Sequence, residues 1–155
     1  MLGKVRPTTG KVLESILATL DPYWEGARVL DLFAGSGTLG KAALQAGAAE
    51  VVFVEGHTKV AAALRGQGRL VVGVLPACLT RLEGHFDVVL GDPPYGASEG
   101  PATLTALGPW LAPGAWICWE HHHKEPYPDQ FGACQLWRRR RFGETALSYY
   151  RCESP

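Results

Sequence analysis

No apolar run in the 155 residues approaches the roughly 20 that a membrane-spanning helix needs. Residues 1–11 lack the charged-then-apolar plan of a secretory signal, so a cytoplasmic protein is expected. No CxxC pair occurs, and Cys78, Cys118, Cys134 and Cys152 stand far apart with no regular Cys/His spacing. That pattern argues against a zinc site and against a disulfide framework, and it reads the four thiols as small buried apolar residues in a reducing compartment. Net charge is also lacking: 15 Lys and Arg balance 15 Asp and Glu, so bulk electrostatics alone predicts no polyanionic partner. What is present is a chain 46% hydrophobic and 19% charged, which excludes a disordered tail and fits one compact domain. A monomer is expected.

The charges are unevenly placed. Lys4, Arg6 and Lys11 open the chain with no acid among them, and Arg138, Arg139, Arg140 and Arg141 form an unbroken run. Together they suggest two basic edges on an otherwise balanced surface. Val12, Leu13, Ile16, Leu17 and Leu20 repeat at helical spacing after Thr8 and Thr9, either of which can cap a helix, and Pro22 ends the segment. Residues 1–25 therefore read as a basic segment and a helix packing on the domain.

Four apolar runs follow, at 28–33, 50–55, 70–75 and 86–91, and a fifth at 114–120. Helical stretches are expected at 38–46, 58–65 and 102–111. The strand runs are continuous rather than alternating, as in central parallel strands covered on both faces. Strand–helix alternation means an α/β, doubly wound, mostly parallel sheet. Residues 135–142, a Gly143 turn and residues 145–152 read as a C-terminal antiparallel hairpin, giving seven strands.

Two motifs carry chemistry. Asp31-Leu32-Phe33-Ala34-Gly35-Ser36-Gly37 sits where the first strand breaks toward a helix, and glycines there let backbone pass close to a ligand. The spacing of Gly35, Gly37 and Gly40 also matches the dinucleotide fingerprint, so this turn by itself leaves two ligand classes open. Asp31 favours one of them. A carboxylate there repels pyrophosphate and suits an ammonium group, such as the methionine end of S-adenosylmethionine. Glu55, followed by Gly56, ends the second strand, where an acid can accept hydrogen bonds from both ribose hydroxyls.

The second motif is Asp92-Pro93-Pro94-Tyr95, at the end of the fourth strand. Consecutive prolines remove N–H donors and hold the turn extended. The Pro93 carbonyl and an Asp92 oxygen then serve as two acceptors for the two hydrogens of an amino group, with Tyr95 flat against the ring that bears it. An exocyclic amine is a poor nucleophile, and aligning it with a methyl on a leaving sulfur supplies the proximity the reaction needs.

Both motifs together resemble the S-adenosylmethionine-dependent amino-methyltransferases. Arg6-Pro7-Thr8-Thr9 before an amphipathic helix, and the closing stretch from Phe142 to Tyr150, resemble one branch: the 16S ribosomal RNA guanine-N2 methyltransferase family (RsmD-like). The resemblance covers nearly the whole chain. It implies S-adenosyl-L-methionine as donor and N2 of a guanine in 16S ribosomal RNA, or in the small ribosomal subunit, as acceptor. Carried over by position, Asp31, Gly35 and Gly37 hold the methionine part, Glu55 the ribose, and Asp92, Pro93, Pro94 and Tyr95 the target base, while Phe33, Ala34, Ser36 and Gly56 are expected to complete the cofactor site. The family tends to place an acid near the adenine, where this chain has Leu75-Pro76-Ala77-Cys78, so backbone amides and apolar contact at Ala77 and Cys78 are expected to take over. RNA contacts are expected from Lys4, Arg6, Lys11, Arg138 and Arg140.

Rival readings keep parts of this pattern: a DNA adenine-N6 or protein glutamine-N5 methyltransferase, a dinucleotide-dependent oxidoreductase, or a non-catalytic RNA-binding assembly factor of the same fold. His121, His122 and His123 invite a metal, but alternate side chains of an extended backbone face opposite ways, and no metal is expected. Trp110, Trp116, Trp119 and Trp137 read as core or sheet-face residues rather than base-stacking platforms. If the arginine run is a strand, Arg138 and Arg140 share one face while Arg139 and Arg141 share the other.

Overall fold

The hydroxyl of Thr9 accepts a hydrogen bond from the Val12 amide (3.3 Å) and starts helix α1, Gly10–Thr19. Val12, Ile16, Leu20 and Trp24 then face one core cluster, and the Trp24 indole N–H ties back to the Leu17 carbonyl at 3.0 Å. The computed structural model describes residues 9–153, so Lys4 and Arg6 lie outside the described residues. The other elements are β1 (Arg28–Leu32), α2 (Thr38–Gln45), β2 (Glu50–Glu55), α3 (Thr58–Ala62), β3 (Arg69–Val72), β4 (Phe86–Gly91), α4 (Glu99–Thr105), β5 (Leu111–His122), β6 (Gln130–Phe131), β7 (Cys134–Phe142) and β8 (Thr145–Cys152).

All eight strands form one sheet in the order β3-β2-β1-β4-β5-β8-β7-β6. The first five are parallel, and β8 and β7 pair antiparallel beyond β5. Leu30 and Leu32 face one core cluster with Trp119 and Tyr150, while Val29 faces the other with Phe53 and Tyr149. Burial on both faces is why these strands read as continuous apolar runs. Among the described residues, no helix is long and apolar enough to cross a membrane.

Several expectations are corrected. The described residues form eight strands rather than seven, because residues 130 and 131 fold back onto Gln135 and Cys134 across Gly132. The third strand stops at Val72 instead of reaching residue 75: the Gly73 amide makes the last bond to β2, on the Glu55 carbonyl, and Pro76 beyond it offers no N–H to a ladder. Helix α3 ends at Ala62 instead of 65, close before Gly66 in the left-handed region. Helix α4 starts earlier and ends at Thr105, since Gly108 and Pro109 form a tight turn from which β5 departs already at Leu111.

The cysteine reading is half right. Cys78 and Cys118 are free and buried, but Cys134 and Cys152 face each other across β7 and β8 and form a disulfide. Register is the cause, because the two strands run antiparallel and set those residues directly opposite.

Candidate functional site

β1 and β4 are neighbours, with Leu32 opposite Gly91, while the chain leaves β1 toward β2 on the other side. The glycine turn after β1 and residues 92–95 after β4 therefore meet at the point where strand order reverses, the usual ligand crevice of such sheets. The Asp92 amide donates to the Leu32 carbonyl (3.3 Å) and ties the two turns together.

The glycine turn is tightly specified. Phe33 has φ 57°, a left-handed conformation that costs a bulky residue about 1–3 kcal/mol, and its ring packs edge-on against Trp119 at 6.2 Å. The Ala34 amide donates to the Val54 carbonyl (3.0 Å) and the Gly37 amide to the Ala34 carbonyl (2.8 Å). Gly35 and Gly37 have φ 58° and 79°, where a side chain is strained. A Cβ on Gly35 would meet nothing within 4 Å, so the loop is open to a ligand there, whereas one on Gly37 would press on Leu64. The Ser36 hydroxyl bonds the Thr38 hydroxyl at 2.9 Å at the start of α2.

Asp31 is buried beneath this turn, and one oxygen accepts from the Gly40 amide of α2 at 3.0 Å. Burial pushes its carboxyl well above the ordinary range, and the negative charges of Asp92 and Glu55 push the same way. Asp31, Glu55 and Asp92 thus stand at the ends of the three neighbouring strands β1, β2 and β4.

Glu55 does more than the sequence suggested. Its two oxygens accept from the amides of Gly35 and His57, each at 2.8 Å. It therefore pins the glycine turn to β2 and still has lone pairs left for ligand hydroxyls. Gly56 is exposed next to it, facing the Gly73 carbonyl. Ala77 is exposed in the following turn, but Cys78 is a correction: it is buried in the core, and its amide donates to the Val74 carbonyl at 2.9 Å. That amide has no second hydrogen to offer a base.

Asp92, Pro94 and Tyr95 are half-buried and Pro93 is buried. Tyr95 is held from two sides: its hydroxyl bonds that of Thr145 at the start of β8, and its ring stands edge-on to His122 with centroids 5.2 Å apart. Glu125, which no motif signalled, clamps the same turn. Its carboxylate accepts from the Gly96 amide (3.1 Å) and the His122 amide (2.8 Å), joining the end of β5 to the residue after Tyr95.

The histidines are used locally. His121 is buried, bonded to the Ser148 hydroxyl at 2.7 Å and stacked near Tyr127, and burial lowers its pKa. His122 and His123 stack on each other at 4.7 Å, because the strand ends at His122 and the next side chain is turned. Among the described residues no grouping of His, Cys, Asp and Glu is placed to hold a metal ion.

The basic residues divide as strand alternation predicts. Arg138 and Arg140 lie opposite Tyr149 and Leu147, on the face that packs α1, and the Arg140 guanidinium donates to the Ser15 hydroxyl at 3.2 Å. Lys11 is exposed one helical turn before Ser15 on that same side of α1. Arg139 turns the other way, to Ser148 and to Asp129 (3.8 Å).

The chain matches the family described as Conserved hypothetical protein 95 over residues 2–151. It is 32% identical over 161 residues to the YlbH protein of Bacillus subtilis, covering 94% of this chain and 87% of that one. It is 31% identical over 160 residues to the ribosomal RNA small subunit methyltransferase D of Escherichia coli, covering 97% and 81%. The solved structure of the yhhF protein of Escherichia coli superposes with a TM-score of 0.87 at 29% identity, covering 100% of this chain and 92% of that one.

Proposed function

The chain belongs to the Conserved hypothetical protein 95 family, the RsmD-like methyltransferases, and from its site we propose that it transfers a methyl group from S-adenosyl-L-methionine to N2 of a guanine in 16S ribosomal RNA. The observation that carries the donor assignment is the open glycine turn held by two acids, Glu55 on the Gly35 amide and Asp31 on the Gly40 amide, with Asp92 following the neighbouring strand. Three carboxylates repel a pyrophosphate and favour a ligand bearing both an ammonium and a sulfonium charge.

Bound there, the donor supplies a methyl carbon that is already electrophilic on a sulfur that leaves neutral. Asp31 acts from beneath the turn through its charge, and residues 33–37 give the backbone surface on which the methionine part lies. Glu55 takes the ribose hydroxyls, with Gly56 leaving room beside it and Ala77 on the adenine side. At the acceptor, Asp92 and the Pro93 carbonyl hold the two amine hydrogens, which aims the nitrogen at the methyl and favours the positive charge that grows on it. Pro94 keeps the turn rigid and Tyr95, fixed by Thr145 and His122, stacks on the base. The methylated ammonium is strongly acidic and loses its proton to water. Lys11, Arg138 and Arg140, together with Lys4 and Arg6, contact the RNA backbone of a small-subunit substrate.

Calorimetric titration with S-adenosylmethionine tests the donor half. Glu55→Ala is expected to weaken binding by about 1.5–3 kcal/mol without unfolding the domain, the value of hydrogen bonds to a charged group. Glu55→Gln should fall between, since its amide keeps one acceptor. Unchanged affinity in both would remove Glu55 from the site.

A further inference from the structure

A bulge in β7 produces a feature that the catalytic site does not use. Leu136 pairs with Tyr150 and Arg138 with Tyr149, so Trp137 is the extra residue without a partner. Bulges re-aim side chains, and this one sends Trp137 to the α1 face, beside Trp116 at 5.3 Å and Tyr149 at 6.3 Å. Trp137 is 49% exposed and Tyr23, which leans on Trp116 at 5.3 Å, is 39% exposed. Tyr23 and Trp137 both lean on Trp116, so their exposed rings form one contiguous aromatic patch, the kind of surface that marks an interaction site.

Arginines alternate with these rings. Arg140 lies over Phe142 (5.3 Å), Arg138 over Trp137 (4.5 Å), and Arg151 over Trp116 (4.8 Å) and Tyr23 (5.6 Å). Among the described residues none of the three guanidiniums has an acidic partner, whereas Arg28, Arg69 and Arg139 each do. Strand register orders them along one line. Arg140 pairs with Leu147, next to Glu120; Arg138 with Tyr149, next to Cys118; and Arg151 lies next to Trp116. The line therefore starts near the hairpin tip that holds Tyr95 and descends toward the opposite end of the sheet. From the level of Asp92 to that of Trp116, opposite Val88, is about 13 Å at the usual rise of a strand.

We propose that this track of Phe142, Arg140, Arg138, Trp137, Arg151 and Tyr23 binds a single-stranded RNA segment flanking the target base, its rings stacking bases and its guanidiniums meeting phosphates. The proposal rests on the RNA-methyltransferase reading and extends it to a surface outside the catalytic crevice. Stacked cations without carboxylate partners keep their outward N–H groups for phosphate oxygens, and ring faces accept any base. Such a track anchors RNA without reading sequence.

The test is fluorescence anisotropy of a labelled 12-nucleotide single-stranded uridine RNA with wild type, Trp137→Ala, Trp137→Phe and Arg138→Gln. Trp137→Ala is expected to weaken binding by about 5- to 150-fold, the range for one lost base stack, and Trp137→Phe to restore most of it. Arg138→Gln should lower the salt slope by about 0.7 for one lost phosphate contact. Donor calorimetry and circular dichroism on each variant check that the fold is kept. Equal affinity in wild type and Trp137→Ala would overturn the track, as would no binding of the oligomer at all. A Trp137→Ala change in sedimentation of the RNA-free protein would assign the rings to a second copy of the chain and overturn it too. Methyl transfer to 16S RNA, run in parallel, separates the two ideas: label transferred by wild type with Trp137→Ala binding normally removes only the track, while oligomer binding through Trp137 without label removes only the methyltransferase reading.

Discussion

Replacing Asp92 by Ala should lower turnover by about 10²- to 10³-fold, the scale for removing one group that stabilises developing charge. The backbone bond from this position to Leu32 is made by the amide, which Ala keeps, and circular dichroism checks that the domain stays folded. Asp92→Asn separates the two roles the carboxylate could have. Its carbonyl still accepts a hydrogen bond but takes no proton, so orientation predicts measurable turnover with Asn and very little with Ala. Equal loss in both, with donor affinity intact, would assign Asp92 to proton removal. Tyr95 extends the comparison. Its ring is pinned by its hydroxyl on Thr145 and by His122, so Tyr95→Phe should cost some alignment and Tyr95→Ala most of the activity. Single-turnover transfer assays at saturating donor read all four.

Asp31→Asn should move stability and function in opposite directions. The carboxyl is buried, and its folded pKa lies above the unfolded value, chiefly through desolvation. A raised pKa means the protonated form suits the fold: that contribution is fully present below the unfolded pKa and is lost as pH rises through the folded one. At neutral pH, without ligand, an ionised Asp31 is therefore a cost. Asn keeps an acceptor for the Gly40 amide and removes the charge, so its melting temperature at pH 7 should exceed that of wild type, with the gap closing as the solution is acidified. Donor affinity should fall by about tenfold or more, since an interaction of the ligand cation with a carboxylate is worth about 1.5–3 kcal/mol. A variant both no more stable and equally tight for the donor would show that Asp31 is neither strained by burial nor facing a cation.

The parts of this molecule that were legible in sequence are those where local chemistry and global fold agree. Continuous runs such as 50–55 announce parallel strands covered on both faces, and glycines at 35 and 37 mark backbone that must go left-handed. The two motifs had to meet once β1 and β4 were neighbours, which strand–helix alternation already implied. What escaped depends on register and on single backbone events. Continuing the register of the hairpin tip down β7 would set Cys134 opposite Glu153, and only the bulge at Trp137 brings it opposite Cys152. The same bulge exposes Trp137, which strand alternation alone does not foretell. Glu125 escaped because it works through two backbone amides from distant loops, a role with no motif. Cys78 was misjudged because a tight turn, ending the third strand early at Gly73, buries its side chain and occupies its amide.

So small a domain reads little sequence by itself, and its specificity should come from a guanine already unstacked in a folded ribosomal site. Transfer of tritiated methyl from S-adenosylmethionine to purified small subunits, free 16S RNA and short oligonucleotides, followed by nucleoside analysis, tests the central claim most directly. The account predicts label in N2-methylguanosine, strongest from assembled or assembling subunits and poor from naked oligonucleotides of the same sequence. Label in N6-methyladenosine, or in protein glutamine alone, would contradict it.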